Sequence, residues 1–544
     1  MGSLVASSWS TQPAACAFAA ALCVLACGSS ATGSATGDDA GAGAGGTSDA
    51  RAGNSGAGGA GESAAGAGHA GTDAGGANAG ASAATQGGAG SGGMAEGGAS
   101  GVTNLDASAL VINGTRWLDV DDQPIRGNQG NIILVGDEYY WFGSSRSGGF
   151  AYTISAYHSR DLRHWQFSRD LLPESGPFTR PHVIHNVTTG KYVMWMDELI
   201  DAGNIPLAAV AESDTPDGDY TFLGDFRPYQ GHGVRDPSDG ESGFRSAFGS
   251  AFVDDDGKGY FLSNSNASAD LNVYQLTDDY LAIDHPVVTL FPGQSRLAPV
   301  LFKRNGIYFL ITISPPFPIG SPAFATSSSL AGPWTDWSDA GSEVPPSTSA
   351  SVLRLPGSGG SSFLYIADNG NGYVWQPLSF PAADELSMSK DTVLDLSAAP
   401  AKITGVNPSF TFINNRTGLA LDVQGESSEA GARIVQSSPS GAKSQRWVPE
   451  YVGAGAFKLR NANSGKLFGS AFDQSAVEFE IEQVDEGVDD RDVITLIPAP
   501  AGLYTLYHDK LSGALDVAEG AGEGAPLEPL ILASAPEWSI EFVR

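Results

Sequence analysis

The sequence predicts an all-β protein in which a five-bladed β-propeller is followed by a β-trefoil. Two internal repeats indicate this architecture. In the first, a Gly or Asn turn leads into a short aromatic and β-branched run, and five such runs follow one another between residues 136 and 366. In the second, a glycine-centred segment recurs at Gly418, Gly465 and Gly513. Three copies at that spacing, rich in short strands, fit the three lobes of a trefoil.

The first repeat predicts the blades. Turn-plus-hairpin units that recur every 50–65 residues or so are typical of a propeller. The aromatic runs lie at 136–142, 190–195, 257–262, 305–310 and 362–366. We expect each run to be the inner strand of one blade, beside the propeller axis. A β-sandwich whose hairpins resemble one another by accident is the alternative.

The first 27 residues predict export. Residues 14–26 are apolar and have the length of a signal-peptide core, and they end in a Leu25-Ala26-Cys27-Gly28 segment that resembles the bacterial lipobox. Residues 1–27 are therefore predicted to be a signal peptide with lipidation at Cys27. No Lys or Arg precedes Arg51, so plain secretion, or no export at all, remains open.

Composition separates a linker from the folded part. Residues 28–103 are almost entirely Gly, Ala, Ser and Thr, which cannot bury enough apolar surface to offset the entropy of ordering. We expect a disordered linker there, a propeller over 104–405 and a trefoil over 406–544. The three cysteines all lie within the first 27 residues, which excludes a disulfide from the folded part.

The net charge of the chain limits the kinds of partner that it can bind. With 29 Lys and Arg against 61 Asp and Glu, the formal net charge is -32, and such a field repels nucleic acid. We expect an oligo- or polysaccharide partner, a monomer, and membrane contact only through an N-terminal lipid anchor. No cofactor is expected. His182 and His185 lie three residues apart without a partner cluster, so no metal site is predicted.

Several segments of the propeller resemble glycoside hydrolase family 43, most closely its exo-β-1,3-galactanase branch. They include Arg180-Pro181-His182, the 254–258 segment D-D-D-G-K, and Arg296-Leu297-Ala298-Pro299. The resemblance covers about 110–400. It implies an inverting glycosidase whose site lies at the propeller axis, where a carboxylic acid protonates the leaving oxygen and a base or its substitute positions water.

The resemblance also indicates positions at which this sequence lacks the residues that such chemistry needs. The branch carries its acid as the Glu of an R-E-A-P segment, and Leu297 stands in that place. A Glu that usually precedes R-P is Thr179 here, a pocket His is Asn128, and a Gln that can replace the base falls near Thr348. Losing a general acid costs about two to four orders of magnitude in rate.

Other residues could take part in the predicted site. An R-D segment of the branch falls on Ala247-Phe248, or on Arg235-Asp236 if a loop is inserted. Candidate catalytic carboxylates are Asp236, Asp197 and Glu198, with solvated loop acids as the alternative. The candidate substrate-binding residues are Asn128, Arg180, His182, Trp195 and Arg296.

The C-terminal repeat resembles ricin-type lectins. Gln445-Arg446-Trp447 matches their Q-x-W signature, and the resemblance implies a sugar site that uses Asp422, Gln445 and Asp516. The second lobe has Gly469 where the aspartate is expected, so a purely structural trefoil is the alternative.

Three functions therefore remain open. A secreted or surface-anchored glycosidase-like protein with a degraded site would bind β-galactan-type plant or microbial glycan without cutting it. An active inverting exo-glycosidase of the β-1,3-galactanase or the arabinosidase and xylosidase type is the main alternative. A structural or adhesion protein is the third.

Overall fold

The computed structural model describes most of the chain after residue 104. The described ranges are 105–148, 151–172, 176–200, 205–228, 244–265, 269–314, 320–341, 344, 347–356, 361–370, 372–453, 455–473, 478–487, 490–530 and 536–544. The predicted signal peptide with Cys27, the predicted linker, and Asp236 lie outside the described residues.

The described part of the propeller begins with β1 (Leu110–Ile112) and continues as five four-stranded antiparallel sheets, blades 1 to 5. Their strands are, blade by blade, β2 (Ile132–Val135), β3 (Glu138–Gly148), β4 (Ala151–Ser159) and β5 (Gln166–Asp170); β6 (Phe178–Asn186), β7 (Lys191–Ile200), β8 (Ile205–Ser213) and β9 (Thr221–Phe226); β10 (Ala247–Val253), β11 (Gly259–Ser265), β12 (Asp270–Leu276) and β13 (Ile283–Leu290); β14 (Leu297–Arg304), β15 (Ile307–Ile313), β16 (Pro322–Ser327) and β17 (Ser338–Asp339); β18 (Thr348–Leu355), β19 (Ser362–Asp368), β20 (Tyr373–Ser379) and β21 (Ser387–Met388).

The first strands of the five blades surround one axis. β2 contacts β6, β6 contacts β10, β10 contacts β14, β14 contacts β18, and β18 contacts β2. This closed cycle confirms the predicted propeller. Each blade consists of consecutive strands, so no blade borrows a strand from the far end of the chain. A separate three-stranded sheet joins β1 to β22 (Val393–Asp395) and β23 (Thr404–Val406) after the last blade.

The aromatic runs are not the inner strands, and that expectation is wrong. They form β3, β7, β11, β15 and β19, which are the second strands of the blades. The reason is steric, because large side chains fill the space between neighbouring blades better than the narrow axis. Trp195 illustrates this, since its ring packs on Phe261 of the next blade with centroids 4.7 Å apart.

The inner strands share an irregularity where they begin. Pairing with the second strand shifts register near Thr179, Ala247, Leu297 and Ser349, and each shift marks a β-bulge. In blades 1 to 4 a residue at the start of the inner strand has a positive φ although it is not glycine. These residues are Gln129, Arg180, Phe248 and Ala298, with φ between 50° and 62°. Such backbone strain concentrates at functional sites.

Twelve further strands in the described part of the chain form the trefoil. They are β24 (Ser409–Asn414), β25 (Ala420–Val423), β26 (Ile434–Ser437), β27 (Trp447–Gly453), β28 (Ala456–Asn461), β29 (Leu467–Asp473), β30 (Glu478–Val484), β31 (Ile494–Ala499), β32 (Leu503–His508), β33 (Gly513–Asp516), β34 (Glu528–Leu530) and β35 (Trp538–Val543). Trp447 and Trp538 are fully buried and donate to the carbonyls of Leu421 and Leu515. Both tryptophans therefore serve the trefoil core.

Helical structure is minor in the described ranges. It consists of the 3-10 turns Ala107–Ala109, Gln424–Glu426, Lys443–Gln445 and Pro500–Gly502. None of the described helices has the length and apolarity needed to cross a membrane.

Candidate functional site

One residue of each blade occupies the same position at the start of the inner strand. These five residues, which we call the axial ring, are Asn128, Thr179, Ala247, Leu297 and Thr348. Each of them pairs with a residue of the second strand beside the irregular segment. The ring brings together the four positions at which sequence reasoning placed lost polar residues, and it adds Ala247.

The second strands place a matching set of residues behind the ring. These partners are Ser144, Asp197, Asn264, Ile313 and Asp368. Three of them bind the bulge of the next blade rather than facing the axis as free groups. Asp197 accepts from the Gly249 N–H at 3.0 Å, Asn264 donates to the Arg296 carbonyl at 2.8 Å, and Asp368 accepts from the Gln129 N–H at 2.9 Å.

Arg180 crosses the axis next to the ring. Its side chain is almost fully buried. Its Nε donates to the Gly249 carbonyl of blade 3 at 3.3 Å, and Nη2 donates to the Ser349 carbonyl of blade 5 at 3.0 Å. Nη1 has no hydrogen-bond partner among the described residues. The predicted substrate-binding residue is therefore also a structural tie between three blades.

The two carboxyl groups near Arg180 have unusual acidity. Burial raises the pKa of Asp197 to about 7, although Arg180 and backbone N–H groups oppose the shift. Burial raises the pKa of Asp368 to about 6, against the same kinds of opposing interactions. Neither carboxyl is more than a few per cent exposed, and the ring residues Thr179, Leu297 and Thr348 are buried to a similar degree.

His182 lies further along β6 than the ring and lines a cavity of about 330 Å³ on the axis. Inner strands of all five blades line this axial cavity. Burial, with a smaller effect of Arg180, lowers the pKa of His182 to about 3, so the imidazole is neutral. The Ala251 N–H lies 3.4 Å from Nδ1, and Nε2 has no described partner.

Arg296 stands directly before Leu297 at the start of β14. Its guanidinium carbon lies 4.7 Å from the ring centroid of Trp337, and its Nη1 donates to Ser314 Oγ. The side chain is half-buried, and its backbone carbonyl accepts from Asn264. Among the predicted binding residues, Arg296 and Asn128 are the ones that combine partial exposure with a place at the ring.

Like His182, two further predicted site residues lie away from the ring. Trp195 is fully buried between blades 2 and 3, and its Nε1 donates to the Tyr280 carbonyl at 3.0 Å. Glu198 follows Asp197 on β7, and successive side chains of a strand point to opposite faces. It therefore faces Asp225 of the outer part of blade 2, and burial together with that carboxylate raises the pKa of Glu198 to about 7.

In the trefoil the first lobe retains the predicted pair. Gln445 Nε2 donates to Asp422 Oδ2 at 3.1 Å and to the Ser438 carbonyl at 3.0 Å. Asp422 Oδ1 has no partner among the described residues. The third lobe differs, because Asp516 accepts from Asn414 at 2.7 Å and from Arg416 at 2.8 Å. Both carboxylate oxygens of Asp516 are therefore committed to structural contacts.

Sequence reasoning missed Asp368 and Trp337. A signal for Asp368 was present, because it follows the fifth aromatic run as Asp197 follows the second. Trp337 gave no such signal, since only the fold of blade 4 brings it against Arg296. No cluster of three or more metal-ligating His, Cys, Asp or Glu side chains occurs within the described ranges.

Comparison with known proteins gives the class first. Residues 124–374 match the sequence model "Glycosyl hydrolases family 43", and residues 402–483 match "Ricin-type beta-trefoil lectin domain-like". The two together define a carbohydrate-active protein with a glycosidase-type propeller and a lectin-type trefoil. No curated protein matches the chain.

Solved structures then give the family. An exo-β-1,3-galactanase from Clostridium thermocellum is 30% identical over 80% of this chain and 100% of its own, with a TM-score of 0.52. The chain belongs to glycoside hydrolase family 43. An exo-β-1,3-galactanase from Phanerochaete chrysosporium, solved with β-1,3-galactotriose, has 22% identity over 80% of this chain and 100% of its own, and a TM-score of 0.52. At that identity the second likeness bears on the fold alone.

Proposed function

We propose that this chain binds β-galactan-type glycan outside the cell without hydrolysing it. The observation that carries the proposal is the composition of the axial ring. Its five side chains are Asn, Thr, Ala, Leu and Thr, and none of them can donate or accept a proton near neutral pH. This composition supports a retained glycosidase frame whose ring, among the described residues, lacks the groups that perform the chemistry.

The reaction requires more than a shaped pocket. An inverting glycosidase needs one carboxylic acid to protonate the leaving oxygen and a base to activate water on the opposite face. Leu297 cannot supply the acid, and Asn128 and Thr348 cannot serve as the base. Asp197 and Asp368 use their oxygens to hold backbone N–H groups of adjacent blades. At the ring a glycan would first meet the half-buried amide of Asn128, since the hydroxyls of Thr179 and Thr348 are buried.

The glycan class follows from the relatives. The Clostridium protein is named an exo-β-1,3-galactanase and shares 30% of its residues with this chain. The trefoil belongs to a lectin-type fold, and its first lobe keeps Asp422 with one free oxygen among the described residues. Both domains therefore support an oligosaccharide partner, with β-1,3-linked galactose as the first to test.

An extracellular location is part of the proposal. The Leu25-Ala26-Cys27-Gly28 segment supports lipidation at Cys27, and the 76 residues of 28–103 would form a tether. A flexible chain of that length reaches roughly 50 Å on average. Metabolic labelling with a radioactive or clickable palmitate in a bacterial host, with Cys27→Ser as the control, tests this part.

The decisive experiment measures cutting and binding with the same protein. We expect no release of reducing sugar from β-1,3-galactan by the full chain, and measurable calorimetric binding of β-1,3-galacto-oligosaccharides. Turnover at ordinary enzyme rates of about 1–1,000 per second would overturn the proposal. Absence of binding to any galactan would overturn it as well.

Hydrolysis is the second candidate, and one observation favours it. The pKa of Asp197 is raised to about 7, and a raised pKa is what a general acid needs. If Asp197 were that acid, activity would fall as the pH rises through about 7, because the carboxyl would lose its proton. Asp197→Asn keeps one oxygen for the Gly249 N–H and would abolish such activity.

A further inference from the structure

Arg296 and Trp337 form a rigid surface next to the axial ring. The guanidinium of Arg296 lies over the indole at 4.7 Å from the centroid. Trp337 is itself held, since its ring lies 4.3 Å from that of Phe291 and its Nε1 donates to Gln294 Oε1 at 3.0 Å. Ser314 accepts from Nη1 of the arginine. The guanidinium is therefore fixed on one face and along one edge.

The backbone around this surface is strained. Phe291, Ser295 and Ala298 all have positive φ, at 46°, 51° and 50°, in the left-handed region that non-glycine residues rarely adopt. Strain of this kind persists only where the surrounding structure imposes it, and it concentrates at ligand sites. The segment before and into β14, which carries Arg296 directly before the ring residue Leu297, is thus held in a strained conformation.

Among the described residues, no carboxylate forms an ion pair with Arg296. Burial is the single cause that shifts its pKa, which it lowers, and no described carboxylate acts on it. In the family the next residue is the acid of R-E-A-P, whereas Leu297 carries no charge. Nε and Nη2 have no hydrogen-bond partner among the described residues. A stacked guanidinium with a free edge binds carboxylate or sulfate groups through two parallel N–H bonds.

We propose that the axial site selects glycans that carry an anionic group, a uronate carboxylate or a sulfate ester, and that Arg296 on Trp337 is the residue that determines this specificity. The inference rests on the proposed glycan-binding function and deepens it. The net charge of -32 opposes polyanionic chains. The expected ligand is therefore a neutral galactan chain with a single anionic unit at the end that enters the ring.

The test is calorimetric titration of the full chain at one fixed ionic strength. The probes are a galactose disaccharide capped with glucuronate, the same disaccharide capped with glucose, and a galactose disaccharide that carries one sulfate ester. We expect at least one anionic probe to bind about ten- to hundredfold more tightly than the neutral one, as a charged two-bond contact implies. Comparing the first and third probes distinguishes carboxylate from sulfate.

Variants assign the preference to Arg296. Arg296→Gln is expected to abolish the anionic preference. Arg296→Lys keeps the charge but loses the two-bond geometry, so it should retain only part of that preference. Trp337→Phe retains an aromatic face as a milder variant. Arg304→Gln is the matched control, because Arg304 lies at the other end of β14 and also covers an aromatic ring, Phe380, at 4.2 Å. Thermal unfolding checks that each variant folds.

The outcomes separate this inference from the proposed function. If the neutral probe binds as tightly as both anionic probes, the anionic preference is wrong and glycan binding stands. If the preference persists in both Arg296 variants, the assignment to Arg296 is wrong. If no probe binds and β-1,3-galacto-oligosaccharides do not bind either, the proposed function fails and this inference fails with it.

Discussion

The propeller axis and the trefoil lobes treat their acidic residues differently. At the axis, Asp197 and Asp368 both bind backbone N–H groups of the next blade. In the trefoil, Asp516 is likewise committed, whereas Asp422 keeps one oxygen without a described partner. Three of these four carboxylates therefore serve the frame, and Asp422 of the first trefoil lobe is the exception among them.

This difference indicates that the residues that hold the backbone of a sugar site need not be the residues that perform its chemistry. The bulges, the positive-φ residues and Arg180 depend on backbone groups, so they persist whatever side chains the axial ring carries. The hydrogen bonds described for that frame come from Asp197, Asn264, Asp368 and Arg180. A fold can therefore retain a glycosidase architecture after the acid and base are gone, and the trefoil can lose a sugar site in one lobe without losing the lobe.

Removal of Arg180 should have the largest effect on stability. Arg180→Met leaves the carbonyls of Gly249 and Ser349 without their donors, and it leaves Asp197 and Asp368 without a compensating cation. Removing one partner from a buried charged network costs about 3–5 kcal/mol. Urea unfolding should show this loss.

The matched control for that change is Arg304→Met. Arg304 is a half-buried arginine at the end of β14, the inner strand of blade 4, and it stacks on Phe380. A loss under about 1 kcal/mol is expected there, as for most surface ion and cation–π contacts. Equal losses in the two variants would show that Arg180 does not tie the blades together.

Asp516 and Asp422 occupy equivalent positions in two trefoil lobes, but their substitution by alanine should change the free energy of unfolding by different amounts. Asp516→Ala leaves Asn414 and Arg416 without their acceptor and is expected to lower the free energy of unfolding by about 2–3 kcal/mol. Asp422→Ala should cost less than about 1 kcal/mol, because Gln445 keeps the Ser438 carbonyl. Sugar binding by the trefoil should respond in the opposite way, with Asp422→Ala abolishing it.

Denaturant unfolding and titration with galactose measure the two effects on the same samples. The comparison would be reversed if Asp516→Ala removed galactose binding while Asp422→Ala left it intact. The third lobe would then hold the sugar site despite its internal ion pair.

The acidity of the axial carboxyls predicts a pH dependence of stability. The folded-state pKa of Asp197 is about 7 and that of Asp368 about 6, both above the ordinary aspartate pKa of 3.8. The folded protein therefore binds more protons than the unfolded chain between pH 4 and 7, and stability from these groups falls as the pH rises through that window. Below about pH 4 their contribution is complete.

Thermal unfolding of the wild type and of Asp197→Asn isolates this effect. The wild-type midpoint should fall from pH 4.5 to pH 7.5 by more than that of the variant, since asparagine does not titrate. Lower net charge at acidic pH stabilises both proteins alike. Parallel curves would contradict the raised pKa of Asp197.

Much of the fold could be predicted from the sequence because repeats report on architecture. Five aromatic runs predicted five blades, and three glycine-centred segments predicted a trefoil. The place of the runs within each blade was wrong, because a hydrophobic run does not reveal whether it faces an axis or a neighbouring sheet. Inner strands instead contain small residues and prolines that allow bulges, as in Leu297-Ala298-Pro299.

The site was predictable in part, and the reason is geometric. The resemblance to a family placed Asn128, Thr179, Leu297 and Thr348 in corresponding positions, and the structure brings them into one ring. The commitment of Asp197 to Gly249 depends on contacts between blades, which no local pattern encodes. The same is true of Trp337 against Arg296, since the two are joined only when blade 4 folds.

Restoring the missing acid should have the smallest effect on activity. Leu297→Glu places a carboxyl at the ring position that the R-E-A-P segment reserves for the acid, and burial against Ala298 and Ile313 would raise its pKa. Yet hydrolysis also requires a group that positions water on the opposite face, and Asn128 and Thr348 cannot accept a proton. We therefore expect no more reducing sugar from β-1,3-galactan than the wild type releases, with Leu297→Gln as the control of equal size.

A gain of a hundredfold or more over Leu297→Gln, on the order of what one general acid contributes, would mean that the ring still holds a working base. The axis would then be one substitution away from an enzyme, and Asp197 would become the first residue to test as the group that activates water.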